Sequence, residues 1–587
     1  MRWVFRKAEE SQVSRLAVEA SLSPLLARIL LTRGISSAEE AASFLAPALS
    51  HLHSPYLMSG MKAAVERLQA AIDRRESILI YGDYDVDGTT AIVILKTAIE
   101  LCGGSADCHV PHRIREGYGM KEDVIERAAI AGTRLIISVD TGIRAFAAAE
   151  AAQRAGVDLI VTDHHLPEAS EGVPKALAVL NPNQTDCAYP CKSLCGAGVA
   201  FKLAQALLEA SGRERLLPSF LKMVAIATVA DAVPLHGENR VFTKLGLEGL
   251  KKPVNLGLKA LLEVAALDGS RPLTATDVAF RLAPRLNAAG RMDVALDVIH
   301  LFGATDVAQA REIATRLDQL NTERQQEERR IMQEIEDRVN ANPALTDAFC
   351  VVLDGEGWHR GVIGIAATRV VERWGRPALV ISKDGEEAHG SGRSIRGFHL
   401  LDALDACRPL FTRYGGHAHA VGFGLPAGRV HDLRSSLDAY ARARLSLADL
   451  EPVLELDGEL PLAEINQNLY RDLCSLEPFG LGNPEPRFAA RGVRLAQPPR
   501  ILKEKHAKLR VAAPGSNRTF NAMGWRMAER IEKSAILAGD GIDIAFTLDH
   551  NPHPDFGGLE LCLEDLAHSP EAKESIAASS QGCAREP

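Results

Sequence analysis

The sequence predicts a multidomain α/β protein: a parallel-sheet domain, a long helical connector, a second α/β domain and a C-terminal β-barrel. Three observations lead there. Between about 75 and 235, short β-branched runs alternate with Ala-rich helical segments such as DVIERAAIAG and RAFAAAEAAQRAG, the pattern of βαβ units. Residues 311–340 are polar on most faces and hold no glycine or proline, as expected of a helix that bridges domains. Beyond 450, pieces such as DIAFTLDHN and LELCLEDL alternate with Pro/Gly turns, which reads as a small barrel.

At 587 residues the chain exceeds what one core supports. Residues 1–50 carry short amphipathic helical signals, LLARILLTRGI and SAEEAASFL, with Ser37 as an N-cap. MRWVFRKAEE has no apolar signal core and no run approaches about 18 apolar residues, so a cytoplasmic protein without a membrane partner is expected. The parallel sheet and a helical extension occupy 51–310. The connector runs over 311–343 and stops at Asn340-Ala341-Asn342-Pro343. The second α/β domain, 344–445, contains AFCVVLDGEGW, PALVISKDG, the Gly-rich GSGRS and RYGGHAHAVGFGL. The barrel spans 450–568, and the polar tail 569–587 is expected to be disordered. A net charge of −9 argues against a general basic coat, so any nucleic-acid contact must use a local positive groove. Cys187, Cys191 and Cys195 have x3 spacing rather than the CxxC of a zinc knuckle, and reduced structural thiols are the favoured reading.

Four segments place acids or imidazoles where an apolar run ends. They are Asp83, Asp85 and Asp87 in SILIYGDYDVDG, Asp140 in LIISVDTG, Asp163-His164-His165 in LIVTDHH, and Asp231 in VAIATVADAVPL. All four runs read as buried parallel strands, whose carboxyl ends line the crevice of an open α/β sheet. A dense carboxylate cluster repels itself unless cations sit in it. DYDVDG is not an EF-hand loop, because the twelfth position from Asp83 is Ile94 rather than glutamate. In an extended or gently turning chain residues two apart point the same way, so Asp83, Asp85 and Asp87 could aim at one spot. A surface Asp/Gly turn would explain the first motif alone, but not the four together. Mixed imidazole and carboxylate donors favour a transition metal such as Mn²⁺, with Mg²⁺ and Zn²⁺ open. The donors suffice for two ions, with Asp140 as the bridging carboxylate.

These segments resemble the motifs of the DHH phosphoesterase superfamily, with DHH at 163–165. RYGGHAHAVGFG and GSGRSIRGF resemble its DHHA1 accessory domain. VPHRIREGYGM, APRLNAAGRMD, GWHRGVIGIAA, LEPFGLGNPEPRF and LLTRGISSAEEAASFL are similar to the bacterial RecJ single-stranded-DNA exonucleases, and the likeness spans about 15–565. The resemblance implies 5′→3′ hydrolysis of single-stranded DNA to 5′-mononucleotides with two Mn²⁺ or Mg²⁺ ions, in recombination and repair, and an OB-like barrel. It implies a metal centre of Asp83, Asp85, Asp87, Asp140, His164, His165 and Asp231. One ion would use the early aspartates with Asp140, and the other Asp87, Asp140, His164 and Asp231. Asp140, His164 and His165 are the catalytic candidates, with contact to the scissile phosphate or proton transfer as alternatives for His165. A single-strand-binding protein and a helicase are the candidate protein partners.

Ser391 and Arg393 are expected to bind a terminal phosphate, Gly415-Gly416-His417 to bring backbone close to one, and Arg113 and Arg291 to add phosphate contacts. A groove between the two α/β domains would admit one strand and exclude a duplex. Phe479 and Phe488 in the barrel read first as core, with base stacking the lesser reading. The alternative function is a DHH phosphodiesterase acting on short oligonucleotides or cyclic dinucleotides; a non-catalytic single-strand-binding scaffold is a third. Chain length, connector and barrel favour a polymer substrate.

Overall fold

The computed structural model describes all residues except 113–115, 118, 169, 268, 270, 293, 554–556 and 570–587. The chain divides into two compact units, Ala48–Pro452 and a second made of Met1–Pro47 with the segment from Val453 onward. No helix among the described residues is long and apolar enough to cross a membrane.

In the larger unit, five parallel strands form a sheet in the order Ala106–His109, Ser77–Gly82, Thr133–Val139, Asp158–Thr162, Ala178–Leu180. The chain winds from Ser77–Gly82 to one edge, then returns to its other side. The topological switch point therefore lies between Ser77–Gly82 and Thr133–Val139, where open α/β sheets bind ligands. Both strands are followed at once by an acid, Asp83 and Asp140. Ile78, Ile80, Ile136 and Ile137 are buried, as befits a sheet covered on both faces.

The run ending at Asp231 corrects the sequence reading. It is not a strand but the helix Leu217–Ala230, which Asp231 caps at its C-terminus. A run buried all round carries no periodicity that separates helix from strand, and this one is long and rich in alanine. Helix Val307–Ala341 is the connector. Its 35 residues span about 52 Å. Ala310, Ala314 and Leu317 join the core of the helical extension, whereas Ile331, Ile335 and Val339 join a core of the second α/β domain.

That second domain has a mixed sheet in the order Arg413–Gly416, Ala420–Pro426, Glu387–Arg393, Ala378–Asp384, Val351–Glu356. Gly390–Arg393 of GSGRS lie within the central strand. Its glycines make room for packing: a Cβ on Gly390 would lie 2.0 Å from Phe423 Cζ, and one on Gly392 would lie 2.8 Å from Val421 Cγ2.

In the smaller unit, strands Phe488–Leu495, Gly541–Asn551, Gly558–His568, Thr519–Gly524 and His506–Ala512 close into a barrel through the pairs Arg494–Ala512 and Leu495–Val511. The N-terminal helices share its core: Leu16, Leu26, Ile29 and Phe44 pack in one cluster with Leu476, Phe488 and Phe546. Ser37 caps helix Ala38–Leu45 in a capping box with Glu40, as expected. Phe488 is fully buried against Phe546, which removes it as a stacking platform, and Phe479 also packs on the core.

Candidate metal centre and anion pocket

The first acidic turn does not continue as an extended chain. Asp83 is buried just past Gly82, Asp85 caps helix Val86–Leu101 by accepting from Gly88 N (3.0 Å), and Asp87 lies in the first helical turn. The three carboxylates consequently part. Asp83 and Asp85 group with Asp140, whereas Asp87 groups with His164 and Asp231. Asp87 also accepts from Gly196 N (2.6 Å) and Ala197 N (2.8 Å), the opening amides of helix Gly196–Ala210. That helix N-terminus stabilises the buried charge.

Asp140 adopts a left-handed conformation at φ 57°, with its N–H donating to Thr162 O at 3.0 Å. Gly196 lies so close that a Cβ there would be 2.5 Å from Asp140 Cβ and Oδ1. His164 Nε2 is 3.3 Å from Asp140 Oδ1, 3.8 Å from Asp87 Oδ2 and 3.9 Å from Asp231 Oδ2. His165 forms a third group with Asp140 and His164. The structure thus gathers Asp83, Asp85, Asp87, Asp140, His164, His165 and Asp231 from four segments, with Asp140 in two of the three groups.

Asp163 holds the two imidazoles in place. Its Oδ2 accepts from Ile143 N (2.9 Å), and its Oδ1 accepts from His164 N (2.7 Å) and His165 N (3.1 Å) and pairs with His165 Nδ1 at 2.7 Å. Nδ1 is thereby engaged, so Nε2 is the nitrogen through which His165 can act. Asn181 and Asn183 donate side-chain N–H groups to the carbonyls of His165 and His164 (both 2.8 Å).

The electrostatics are those of a centre built for cations. Burial first, then Asp87 and Asp85, push the Asp231 carboxyl up to about 9. Burial and the neighbouring Asp87, Asp85, Asp83 and Asp231 carry Asp140 well above the usual carboxylate range. Burial lowers His164 against the pull of Asp87. Burial also works to lower His165, but the bond to Asp163 and its charge win and raise it. Asp140 Oδ1 is buried without a hydrogen-bond partner. Oxygen donors with an imidazole, crowded so that their negative charges repel unless a cation sits among them, fit divalent ions. The groups able to share an ion among the described residues contain only Asp and His. Cys187, Cys191 and Cys195 are free thiols outside them.

The expected substrate residues separate into two sites. His417 lines a cleft of about 810 Å³ with His164 and His165. Arg291, Ser391 and Arg393 line a pocket of about 260 Å³. Arg393 Nη1 donates to Ser391 Oγ (3.1 Å), and Arg291 Nη1 donates to Gly361 O (2.7 Å). Arg360, Arg413 and His389 line the same pocket and were not singled out as site residues from the sequence, although GWHRGVIGIAA contains Arg360. Arg113 lies outside the described residues. Helix Ala283–Arg291 connects pocket and acidic turn: Asn287 Oδ1 accepts from Val86 N (3.2 Å), and a Cβ on Gly290 would lie 2.1 Å from Tyr84 O.

Known proteins resemble this chain over most of its length. Family models described as DHH family, N-terminal domain, DHHA1 domain and RecJ OB domain match residues 77–228, 346–443 and 456–565. The chain is 37% identical over 572 residues to the single-stranded-DNA-specific exonuclease RecJ of Bacillus subtilis, covering 97% of this chain and 71% of that one. It is 33% identical over 584 residues to the Escherichia coli protein of the same name, covering 96% and 98%. A crystal structure of RecJ in complex with Mn²⁺ from Thermus thermophilus superposes with a TM-score of 0.82 at 29% identity, over 96% of this chain and 79% of that one.

Proposed function

The chain belongs to the RecJ family of single-stranded-DNA-specific exonucleases, and from that premise we propose that it degrades single-stranded DNA from the 5′ end to 5′-mononucleotides. The reaction uses divalent ions, Mn²⁺ or Mg²⁺, held by Asp83, Asp85, Asp87, Asp140, His164 and Asp231. The observation that carries this reading is the convergence of those residues with the separate pocket of arginines. Bound there, divalent ions supply positive charge against the phosphodiester and a deprotonated water near neutral pH.

The chain's own residues do the rest. Asp163 fixes the His165 ring so that Nε2 meets the scissile phosphate or its departing oxygen. The amides of Gly196 and Ala197 hold Asp87 in orientation. Arg291, Arg360, Ser391, Arg393 and Arg413 hold a terminal 5′-phosphate through forked and charge-assisted bonds. A terminal anion seated there gives polarity, because a strand end without the phosphate lacks the anchor. His417, in the cleft with His164 and His165, steadies the scissile nucleotide. The same reading includes exclusion of a duplex by the cleft, a role in DNA recombination and repair in the cytoplasm, and cooperation with a single-strand-binding protein and a helicase.

The test is a time course on 5′- and 3′-labelled single strands and matched duplex, with Mn²⁺, Mg²⁺ or chelator. Label leaving first from the 5′ end as a mononucleotide, only with metal and only from the single strand, is the expected result. Loss from the 3′ end, or equal digestion of duplex, would overturn it.

A further inference from the structure

Asp87 and Asp231 belong to one group with His164, yet different stretches of chain hold them. Asp231 ends helix Leu217–Ala230, and the chain then turns through Ala232, at φ 54°, to Val233 and Pro234. Asp87 is gripped by the amides of Gly196 and Ala197, which directly follow the three-cysteine stretch 187–195. Val233 on one stretch and Ser193 and Leu194 on the other line the same cleft.

One side chain joins the two stretches. Asn239, in the first turn of helix Gly237–Gly249, donates from its amide nitrogen to Ser193 O (2.6 Å) and to Pro234 O (3.0 Å). Ser193 stands three residues before Gly196, and Pro234 three residues after Asp231. Both acceptors are backbone carbonyls, so the bridge needs two hydrogens on one nitrogen; a hydroxyl brings one and a carboxylate none. Asn239 is fully buried, and its Oδ1 has no hydrogen-bond partner among the described residues. An unpaired buried amide oxygen is costly, so the position uses this amide for its donors and not for its oxygen. Cys195 Sγ lies 3.7 Å from Thr228 Oγ1 of helix Leu217–Ala230, a second and weaker tie between the same stretches. The preceding residue pins the helix start: Glu238, also fully buried, accepts from His53 N (3.0 Å), Lys202 Nζ (2.9 Å) and the Tyr189 hydroxyl.

We infer that Asn239 is a positioning residue for the metal centre. It sets the distance between the Asp231 carboxylate and the amides that orient Asp87, and with it the affinity for the ion that those two carboxylates share with His164. The inference rests on the proposed metal reading of the Asp and His cluster. Side chains that orient metal ligands change metal affinity or activity about tenfold to a hundredfold when lost.

The experiment titrates the full chain with Mn²⁺ in a calorimeter, without DNA. Melting temperature and affinity for labelled oligothymidylate in chelator are measured beside it. Asn239→Ala should weaken one Mn²⁺ site about tenfold to a hundredfold and leave strand affinity in chelator unchanged. Asn239→Ser, with one donor on a shorter arm, replaces it if the alanine variant does not fold, and the same direction is expected. Tyr189→Phe is the control, because it takes a hydrogen bond from the same helix start and touches neither carbonyl. It should lower the melting temperature and keep Mn²⁺ affinity. Wild-type Mn²⁺ affinity in a folded Asn239 variant would overturn the inference. So would an equal loss in Tyr189→Phe, or failure of both Asn239 variants to fold, since either marks a purely structural residue. A wild-type protein that binds Mn²⁺ yet frees no nucleotide from single strands would sink the nuclease reading and leave this one standing.

Discussion

Gly196→Ala separates steric positioning from loss of a ligand. The substitution adds one methyl and keeps the N–H that Asp87 accepts. The added Cβ would lie 2.5 Å from Asp140 Cβ and Oδ1. Ordinary contact is about 3.5–4 Å, so about 1 Å must be found somewhere. Asp140 has little room to yield, being buried and held at φ 57° with its N–H bonded to Thr162 O. If the helix yields instead, the amides of Gly196 and Ala197 move off Asp87. Overpacking costs about 1–3 kcal/mol, partly offset by about 1 kcal/mol of helix propensity gained on replacing glycine. The fold should therefore survive, with a melting temperature only a few degrees lower. Turnover is a different matter, since a misplacement of about 1 Å at a reacting centre costs about a hundredfold. Mn²⁺-dependent release of nucleotide from labelled single strands, beside calorimetric melting, reads both. A Gly196→Ala protein with wild-type turnover and an intact fold would refute the claim that Asp140 is locked against this helix.

Asp140→Ala should abolish hydrolysis while single-strand binding in chelator survives; near-normal turnover in that variant would remove the metal mechanism. Arg393→Ala should raise KM for a 5′-phosphorylated strand about tenfold to a hundredfold, as loss of charge-assisted bonds implies, and leave a 5′-hydroxyl strand nearly unaffected. Equal effects on the two substrates would place the terminal phosphate elsewhere. Asp231 is pushed up to about 9 in the folded protein without metal, far above its ordinary value. The folded state then keeps a proton that the unfolded chain gives up, so this group's contribution to stability is full below about pH 4 and drains away as pH rises toward 9. Mn²⁺ should therefore raise the melting temperature more at about pH 8 than at about pH 6. A pH-independent Mn²⁺ effect, measured by scanning calorimetry, would contradict the shared protonation of the cluster.

The legible part of the site was the part written in local pattern. Ser77–Gly82, Thr133–Val139 and Asp158–Thr162 are short β-branched runs that end at Asp83, Asp140 and Asp163, and each is a strand of the parallel sheet. Asp231 was placed on the wrong element, because a fully buried helix and a buried strand share an apolar run. The three early aspartates were expected to aim at one spot, a geometry the chain does not adopt, since Asp85 caps a helix and Asp87 turns to a different group. The glycines of GSGRS carry no sign in sequence of Phe423 and Val421, which fill their space from the neighbouring strand. Arg360 and Arg413 sit in segments that carry the family resemblance, and His389 lies four residues before Arg393 on one strand; what the sequence does not show is that they line one pocket. The N-terminal helices gave no sign of sharing a core with Phe488 and Phe546, a contact between opposite ends of the chain. A deletion from 450 onward would therefore strip those helices of their core, and point variants are the sounder probes of the barrel.

Helix Ala283–Arg291 ties together two sites that the sequence presents as unrelated. Gly290 leaves no space for a side chain against Tyr84 O, between Asp83 and Asp85, and Asn287 holds Val86 N in the same turn. The next residue, Arg291, belongs to the arginine pocket and bonds Gly361 of the second α/β domain. Consecutive residues of one helix are thus committed to the acidic turn and to the anion pocket. A helix is stiff over such a length, so neither site can shift without carrying the other. Under the proposed function, the separation between a terminal phosphate in that pocket and the bond facing Asp140 would be set by this backbone and not by a flexible loop. An exonuclease that advances by a constant step needs such a fixed separation. The absence of a Cβ at Gly290 is what lets the helix approach closely enough to impose it.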